Sequence, residues 1–438
     1  MAYVTQQSNV ELMASLTGLT HDIFVGGVQN DVKRSSATAK LFQDAEPGEY
    51  RFAGQNMVFA ADLRFKTGGV STDGNVPDYV PLDAVQGQVT PIRRYERIAL
   101  DNFVEKRSTG EGAFEDLGER IFNKLWDSWE CMEVRQAIGP ASGLVGKCSS
   151  RTSSTVFVIK DGYGHTATDP IQHLAEGSIL AWWDVNVSGI AGAGKISSIA
   201  YSTNTITMDS GTTWEPSATL AEDDLIYFAS TNNIDNDHFV SERNLAPNGL
   251  GTILDPDAAA TTVHNISQTT YPRWKPYRKT STTFDHIELT EHWLQIGPHR
   301  GFKVSPATDV VLTHPSCKAQ LARSLMAFQQ QTALGGELKG GYSDLAISGI
   351  PIEDDTFFYH DVCATISREH LFRIHLGGDA DFFTDDGSMW DRIPNYDGKD
   401  AFVRDYMNYM SNHRGAHGAL TGITVDVTVG DFSTTPNY

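Results

Sequence analysis

The sequence predicts an α+β chain organised on one long helix, with a long hairpin before it and a small all-β insertion after it. Three stretches carry that expectation. Residues 112–138, GAFEDLGERIFNKLWDSWECMEVRQAI, repeat Phe114, Leu117, Ile121, Leu125, Trp129 and Met132 at helical steps, with Phe122 and Trp126 on a second strip. Residues 58–66, VFAADLRFK, alternate with period two. Residues 144–230 carry short β-rich runs separated by Gly, Ser, Asp and Asn clusters.

The helix comes first because it is apolar on two sides and needs cover on both. At 1.5 Å per residue it would be roughly 40 Å long, and Gly139-Pro140 stops it. Ahead of it, residues 1–47 are polar and weakly periodic, which reads as an arm ordered by lying on neighbours. In the hairpin, Phe59, Ala61, Leu63 and Phe65 share one face. A soft tip at 67–75 follows, and then a return limb at about 85–104 that interleaves Arg93, Arg94 and Arg97 with apolar residues. A two-stranded ribbon of that length is marginal alone. With no third strand visible nearby, a second copy of the protein is the natural support. Phe59, Leu63, Phe65, Arg93, Arg94 and Arg97 are the expected subunit-contact residues, the arginines pairing with a neighbour's carboxylates. For any single arginine, a solvated strand face is the ordinary alternative.

Beyond the insertion the pattern is mixed. Residues 313–328 read as a helix with Pro315 in its first turn, and 289–296 as another. Strands are expected at 310–312, 346–352, 371–376, 402–410 and 423–429, the last two returning to the long helix.

Composition narrows the function. The 438 residues carry a formal charge of −21, which argues against a broad basic face for nucleic acid. No apolar run reaches membrane-spanning length, and the N-terminus lacks a signal-peptide pattern. The four cysteines have no paired spacing and read as free thiols of an intracellular protein.

Motifs for chemistry are weak. Residues 189–195, GIAGAGK, mimic a phosphate loop, but Ile196 replaces the magnesium-holding Ser or Thr and the following segment is β-patterned. Asp379, Asp381, Asp385 and Asp386 miss the calcium-loop spacing. His370 and His375 form no metal motif, and Ser343 lacks a nucleophile elbow. Cys317 and Cys363 have no local partner that would activate them. No catalytic residue, cofactor site or metal site is expected.

The order of parts resembles the major capsid protein of tailed bacteriophages, the Hong Kong ninety-seven type of coat fold. The likeness rests on GEGAFEDLGERIFNKLWDSWE after the hairpin, NGLGTILDP at 248–256, TTYPRWKP at 269–276 and VVLTHPSCKAQLARSL at 310–325. YSDLAISGIPIEDD at 342–355, REHLFRIHLGG at 368–378 and RGAHGALTGI at 414–423 complete it. The resemblance implies an arm at 1–47, an extended loop at 48–107, and a peripheral domain at 108–143 and 391–438. It also implies an axial domain at 234–390, with a β-rich insertion at 144–233 that the minimal fold lacks. It further implies self-assembly into hexamers and pentamers of an icosahedral head enclosing double-stranded DNA, made in the host bacterial cytoplasm. A separate scaffolding protein and a portal protein are implied partners, and a cement protein stays an open one. Lys66 sits where some relatives carry a cross-linking lysine, but nothing marks a partner for it. The alternatives are a nanocompartment shell of the same fold and, from a different class, a carbohydrate-processing enzyme. That enzyme would need two carboxylates facing a cleft.

Overall fold

The computed structural model describes residues 36–45, 51–53, 56–62, 84–102, 117–153, 155–165, 168, 170–185, 189–209, 213–214, 223–230, 240–255, 262–332, 345–376, 381–382, 390–393 and 396–425. Leu63, Phe65, Lys66, the tip at 67–75 and Ser343 lie outside them.

In chain order the elements begin with α1 (Ala37–Leu41), β1 (Gln43–Asp44), β2 (Arg51–Ala53), β3 (Asn56–Asp62), β4 (Ala84–Val89), β5 (Ile92–Asp101) and α2 (Leu117–Ile138). The insertion supplies β6 (Leu144–Arg151), β7 (Val156–Lys160), β8 (Ile179–Asp184), β9 (Gly189–Ala200), β10 (Thr205–Met208), β11 (Thr213–Trp214) and β12 (Leu225–Phe228). Then come α3 (Leu250–Ile253), β13 (Thr262–Val263), β14 (Ile266–Ser267), β15 (Tyr277–Thr280), α4 (His286–Arg300), β16 (Asp309–Thr313) and α5 (Pro315–Thr332). The chain ends with β17 (Ala346–Ile347), β18 (Ile350–Asp354), β19 (Val362–Ser367), β20 (Leu371–His375), β21 (Asp381–Phe382), β22 (Asp391–Arg392), β23 (Gly398–Ser411) and β24 (Gly418–Thr421).

Chain contacts divide it into two compact units. The first holds residues 93–133 and 375–407, hence most of α2, nearly all of β5 and most of β23. Here β23 pairs with β5, β21 and β22. Ala401, Val403, Asp405 and Met407 alternate inward along β23, as period two demands. Leu125 and Trp129 of α2 pack on Val403, with Ile98 and Met132 beside them. Of the stripe read from the sequence, Leu125, Trp129 and Met132 face this sheet, whereas Trp126 of the expected second apolar strip is exposed, so the cover expected on that side is not found among the described residues.

The second unit holds residues 36–92, 134–374 and those from 408 onward. By contacts, residues 391–407 fall in the first unit and those from 408 onward in the second. In this unit the end of the arm, expected to lie on neighbours, is held by its own chain. Ser36 Oγ and Thr38 N–H both donate to Asp355 Oδ2, at 2.7 and 2.9 Å, and β1 pairs in parallel with β20.

The hairpin also differs from expectation. β2 pairs with β3, so a third strand is present after all, and β3 pairs with β4. Its return limb is not continuous: Thr90 and Pro91 separate β4 from β5, since proline has no N–H for a ladder. Met57, Phe59, Ala61 and Val89 are buried against Ile266, Trp274, Phe372, Ile374 and Met410 of the same chain. Gly87 lies opposite Phe59, and a Cβ there would meet the Phe59 ring at 2.2 Å.

The insertion is a small barrel. Pairing runs β10-β7-β6-β12-β8-β9 and returns from β9 to β10, with β11 attached to β9. Phe157, Ile159, Leu180, Trp182, Ile196, Ile206 and Ile226 fill it. A mixed six-stranded sheet, β15-β24-β19-β16-β18-β17, forms the other core. β16, β19 and β24 are buried along their whole length, because α4 and α5 contribute Leu289, Trp293, Ile296, Cys317 and Leu321 to the same core. The expected 346–352 strand is a hairpin turning at Ser348 and Gly349, both at positive φ. A strand expected at 423–429 is not found at 423–425, which carry no strand; 426–429 lie outside the described residues. The strand just before that stretch, β24, joins the six-stranded sheet.

Candidate interaction surface

Polar side chains join the segments that are distant in sequence. Arg414 donates to the carbonyls of Ile253 (3.0 Å), Thr252 (2.9 Å) and Asp255 (2.7 Å), so the RGAH turn closes the C-terminal end of α3. Gly415 is required beside it, since a Cβ would lie 1.9 Å from the Arg273 carbonyl. Lys318 of α5 bonds to Asp354 at the end of β18 at 2.5 Å, and Arg368 bonds to Glu353 at 2.5 Å. Arg300, at the end of α4, is fully buried with Asp309. Its five N–H groups donate to both Asp309 oxygens and to the carbonyls of Phe302, Lys303 and Ala416.

Chemical sites are scarce. GIAGAGK lies inside strand β9, without the helix a phosphate loop opens. Gly192 in it faces Trp182, whose indole would lie 2.7 Å from a Cβ. Cys148, Cys317 and Cys363 are buried, and none of the four cysteines is in a disulfide. Burial pushes the Cys317 thiol up to about 12 and the Cys363 thiol well above its ordinary value, the opposite of an activated nucleophile. Among the described residues no group of three or more His, Cys, Asp or Glu could hold a metal ion, and no helix is long and apolar enough to cross a membrane. A cavity of about 750 Å³ in the second unit is lined by Tyr163, His165, Asp255, Arg278, Tyr359 and Asp361, among others. Each of its two aspartates has a nitrogen-bearing neighbour: His165 Nδ1 lies 3.4 Å from Asp361, and the Arg278 guanidinium 3.7 Å from Asp255.

The contact residues named from the sequence separate into two groups. Phe59 is 5% exposed and spent on the chain's own core. Arg94 also points inward: it pairs with buried Asp405, and its guanidinium lies 4.9 Å from the Trp129 ring centroid. His375 Nδ1 completes the group at 3.1 Å from Asp405 Oδ1. Burial works against the Asp405 charge, but His375 and Arg94 hold the carboxyl below its usual range. A neighbour's carboxylate is not needed there. Arg93 and Arg97 are on the opposite, exposed face. Arg97 Nε donates to Asp400 Oδ2 at 2.8 Å. Tyr95, 52% exposed, stands between the two arginines. It meets Tyr406 edge-on at 6.4 Å, and a hydrogen bond to Tyr406, with burial second, raises its hydroxyl above the ordinary value. The sequence reading counted Tyr95 among the apolar residues of the return limb and did not single out Tyr406. Period two along 93–97 separates Arg94 from Arg93, Tyr95 and Arg97, and that signal was available.

No family model matches the chain, and no curated protein matches it. Solved structures similar to it include the capsid asymmetric unit of cyanophage A-1(L), at 9% identity and TM-score 0.48 over 92% of this chain and 95% of that one. The capsid of the native GTA particle is similar at 8% identity and TM-score 0.45 over 92% and 94%. The holo-SrpI encapsulin complex from Synechococcus elongatus PCC 7942 is similar at 7% identity and TM-score 0.41 over 96% and 98%.

Proposed function

We propose that this chain is a shell subunit, the major capsid protein of a tailed bacteriophage. Copies of it assemble into hexamers and pentamers of an icosahedral head around double-stranded DNA. One observation carries the reading: the stretches of sequence that resemble such coat proteins are the ones the fold knits together. Arg414 of RGAHGALTGI closes NGLGTILDP. Lys318 of VVLTHPSCKAQLARSL bonds to Asp354 of YSDLAISGIPIEDD, and Arg368 of REHLFRIHLGG bonds to Glu353 beside it. A likeness made of mutually packed segments is a likeness of a core and not of composition.

The work of such a subunit is self-association through many modest contacts repeated by symmetry, and no catalytic step is assigned to it. Leu63 and Phe65, with the 68–75 tip, belong to the loop that overlaps a neighbour. A separate scaffolding protein and a portal protein are the partners of assembly, and the mature location is the virion. The test is electron microscopy of the expressed chain with and without a candidate scaffold. Closed shells or free capsomers support the reading, and deletion of 68–75 then impairs assembly. A chain that stays monomeric under every condition overturns it.

A further inference from the structure

Resting on that reading, we propose that the exposed face of β5, with the adjoining side chains of β23, binds a carboxylate-rich segment of a second copy of this chain. Arg93, Tyr95 and Arg97 lie on one face of β5, and half-buried Arg404 and Tyr406 adjoin from β23. Arg93 and Arg404 are both near enough to the Tyr95 hydroxyl to act on it electrostatically.

The face is built before any partner arrives. Arg94, Leu100, Asp405 and Met407 bury the other side of the two strands. A one-residue slip would turn Arg94 outward and strand Asp405, so the register is fixed. Asp400 holds the Arg97 guanidinium in place, and Tyr406 holds Tyr95. Planar guanidinium groups beside tyrosine rings suit carboxylates, which arginine binds with two parallel bonds.

Charge selects the occupant. The chain carries 55 acidic against 34 basic residues, so a basic face finds its complement on another copy of the same chain. A nucleic-acid backbone fits less well. Asp400 borders the face, and Asp391, exposed on β22, lies in register beside it. That carboxylate edge confines the basic area to Arg93, Arg97 and Arg404, enough for a few carboxylates of a short segment but not for the continuous basic track a run of phosphates requires.

The test compares the full chain with the double variant Arg93→Glu/Arg97→Gln and the single variant Arg93→Gln. Assembly is followed by light scattering at about 50 mM and about 500 mM salt, where screening differs strongly. The double variant is expected to need at least about tenfold more protein to assemble at low salt, and the difference from wild type to shrink at high salt. Arg93→Gln, which alters one exposed side chain, is expected to show a smaller shift in the same direction with unchanged thermal unfolding. Equal assembly of wild type and both variants overturns this inference and leaves the shell reading intact. A wild-type chain that never assembles overturns both. Retention of a labelled duplex DNA by the wild type and its loss in the double variant overturns the protein occupant in favour of nucleic acid.

Discussion

The Arg300–Asp309 pair is the most exacting place to test the energetics of the second unit. Both side chains are fully buried, and the shorter of their two contacts is 2.7 Å. Asp309→Asn keeps the shape but removes the charge, leaving a guanidinium in a dry core. Breaking a buried pair this way costs about 3–5 kcal/mol. Here the carbonyls of Phe302, Lys303 and Ala416 still accept from Arg300, so the expected loss is at the lower end, about 3 kcal/mol. Replacing both partners in Arg300→Met/Asp309→Leu removes the stranded charge, so the double variant is expected to recover about half of the single variant's loss or more. Recovery stays incomplete, because three carbonyls and the Ser305 N–H, which donates to Asp309 at 2.6 Å, lose their partner. The assay is urea unfolding followed by tryptophan fluorescence, with all four corners of the cycle measured. A loss below about 1 kcal/mol for Asp309→Asn, or a double variant worse than both singles added, refutes the reasoning.

Three further outcomes follow from the same structure. Burial pushes His264, His292 and His314 down to about 3 and His413 to about 4. These side chains stay neutral in the fold while the unfolded chain takes up protons near pH 6.5. Stability is therefore full above about pH 6.5 and falls toward pH 3, by up to about 1.4 kcal/mol per pH unit for each histidine; a urea midpoint unchanged from pH 7 to 5 would contradict this. Gly192→Val drives a side chain into the Trp182 indole, with an expected cost of about 1–3 kcal/mol and an altered near-ultraviolet dichroism signal. With a thiol reagent under native conditions, no more than one of the four cysteines is expected to react promptly, since three are buried and only Cys131 is half-buried; all four should react in denaturant.

How much of this the sequence disclosed depended on whether a local period decided the matter. One face of α2 was legible because Leu125 and Trp129 face a sheet, but the second apolar strip was misread: Trp126 is exposed, as are Lys124 and Ser128 beside it. The insertion was legible as all-β from its short strand-like runs, though not its closure into a barrel, since β9–β10 pairing is a tertiary fact. The strand order of the six-stranded sheet was hidden for the same reason: β15 and β24 pair across more than a hundred residues. Pro91 was a visible signal for splitting the hairpin's return limb, and reading past it merged two strands that serve different sheets. β2, at three residues, was too short to show a period. The three arginines were grouped by charge when alternation already separated Arg94 from the other two. Its partner Asp405 lies 311 positions away, which no local pattern reveals.

The central claim, that this chain works by associating with itself, is tested most directly by sedimentation velocity of the purified full-length protein across a concentration series. The account predicts boundaries of capsomers or closed shells that grow at the expense of the monomer as concentration rises. A single monomer boundary at every concentration, with or without a scaffolding protein, would contradict it.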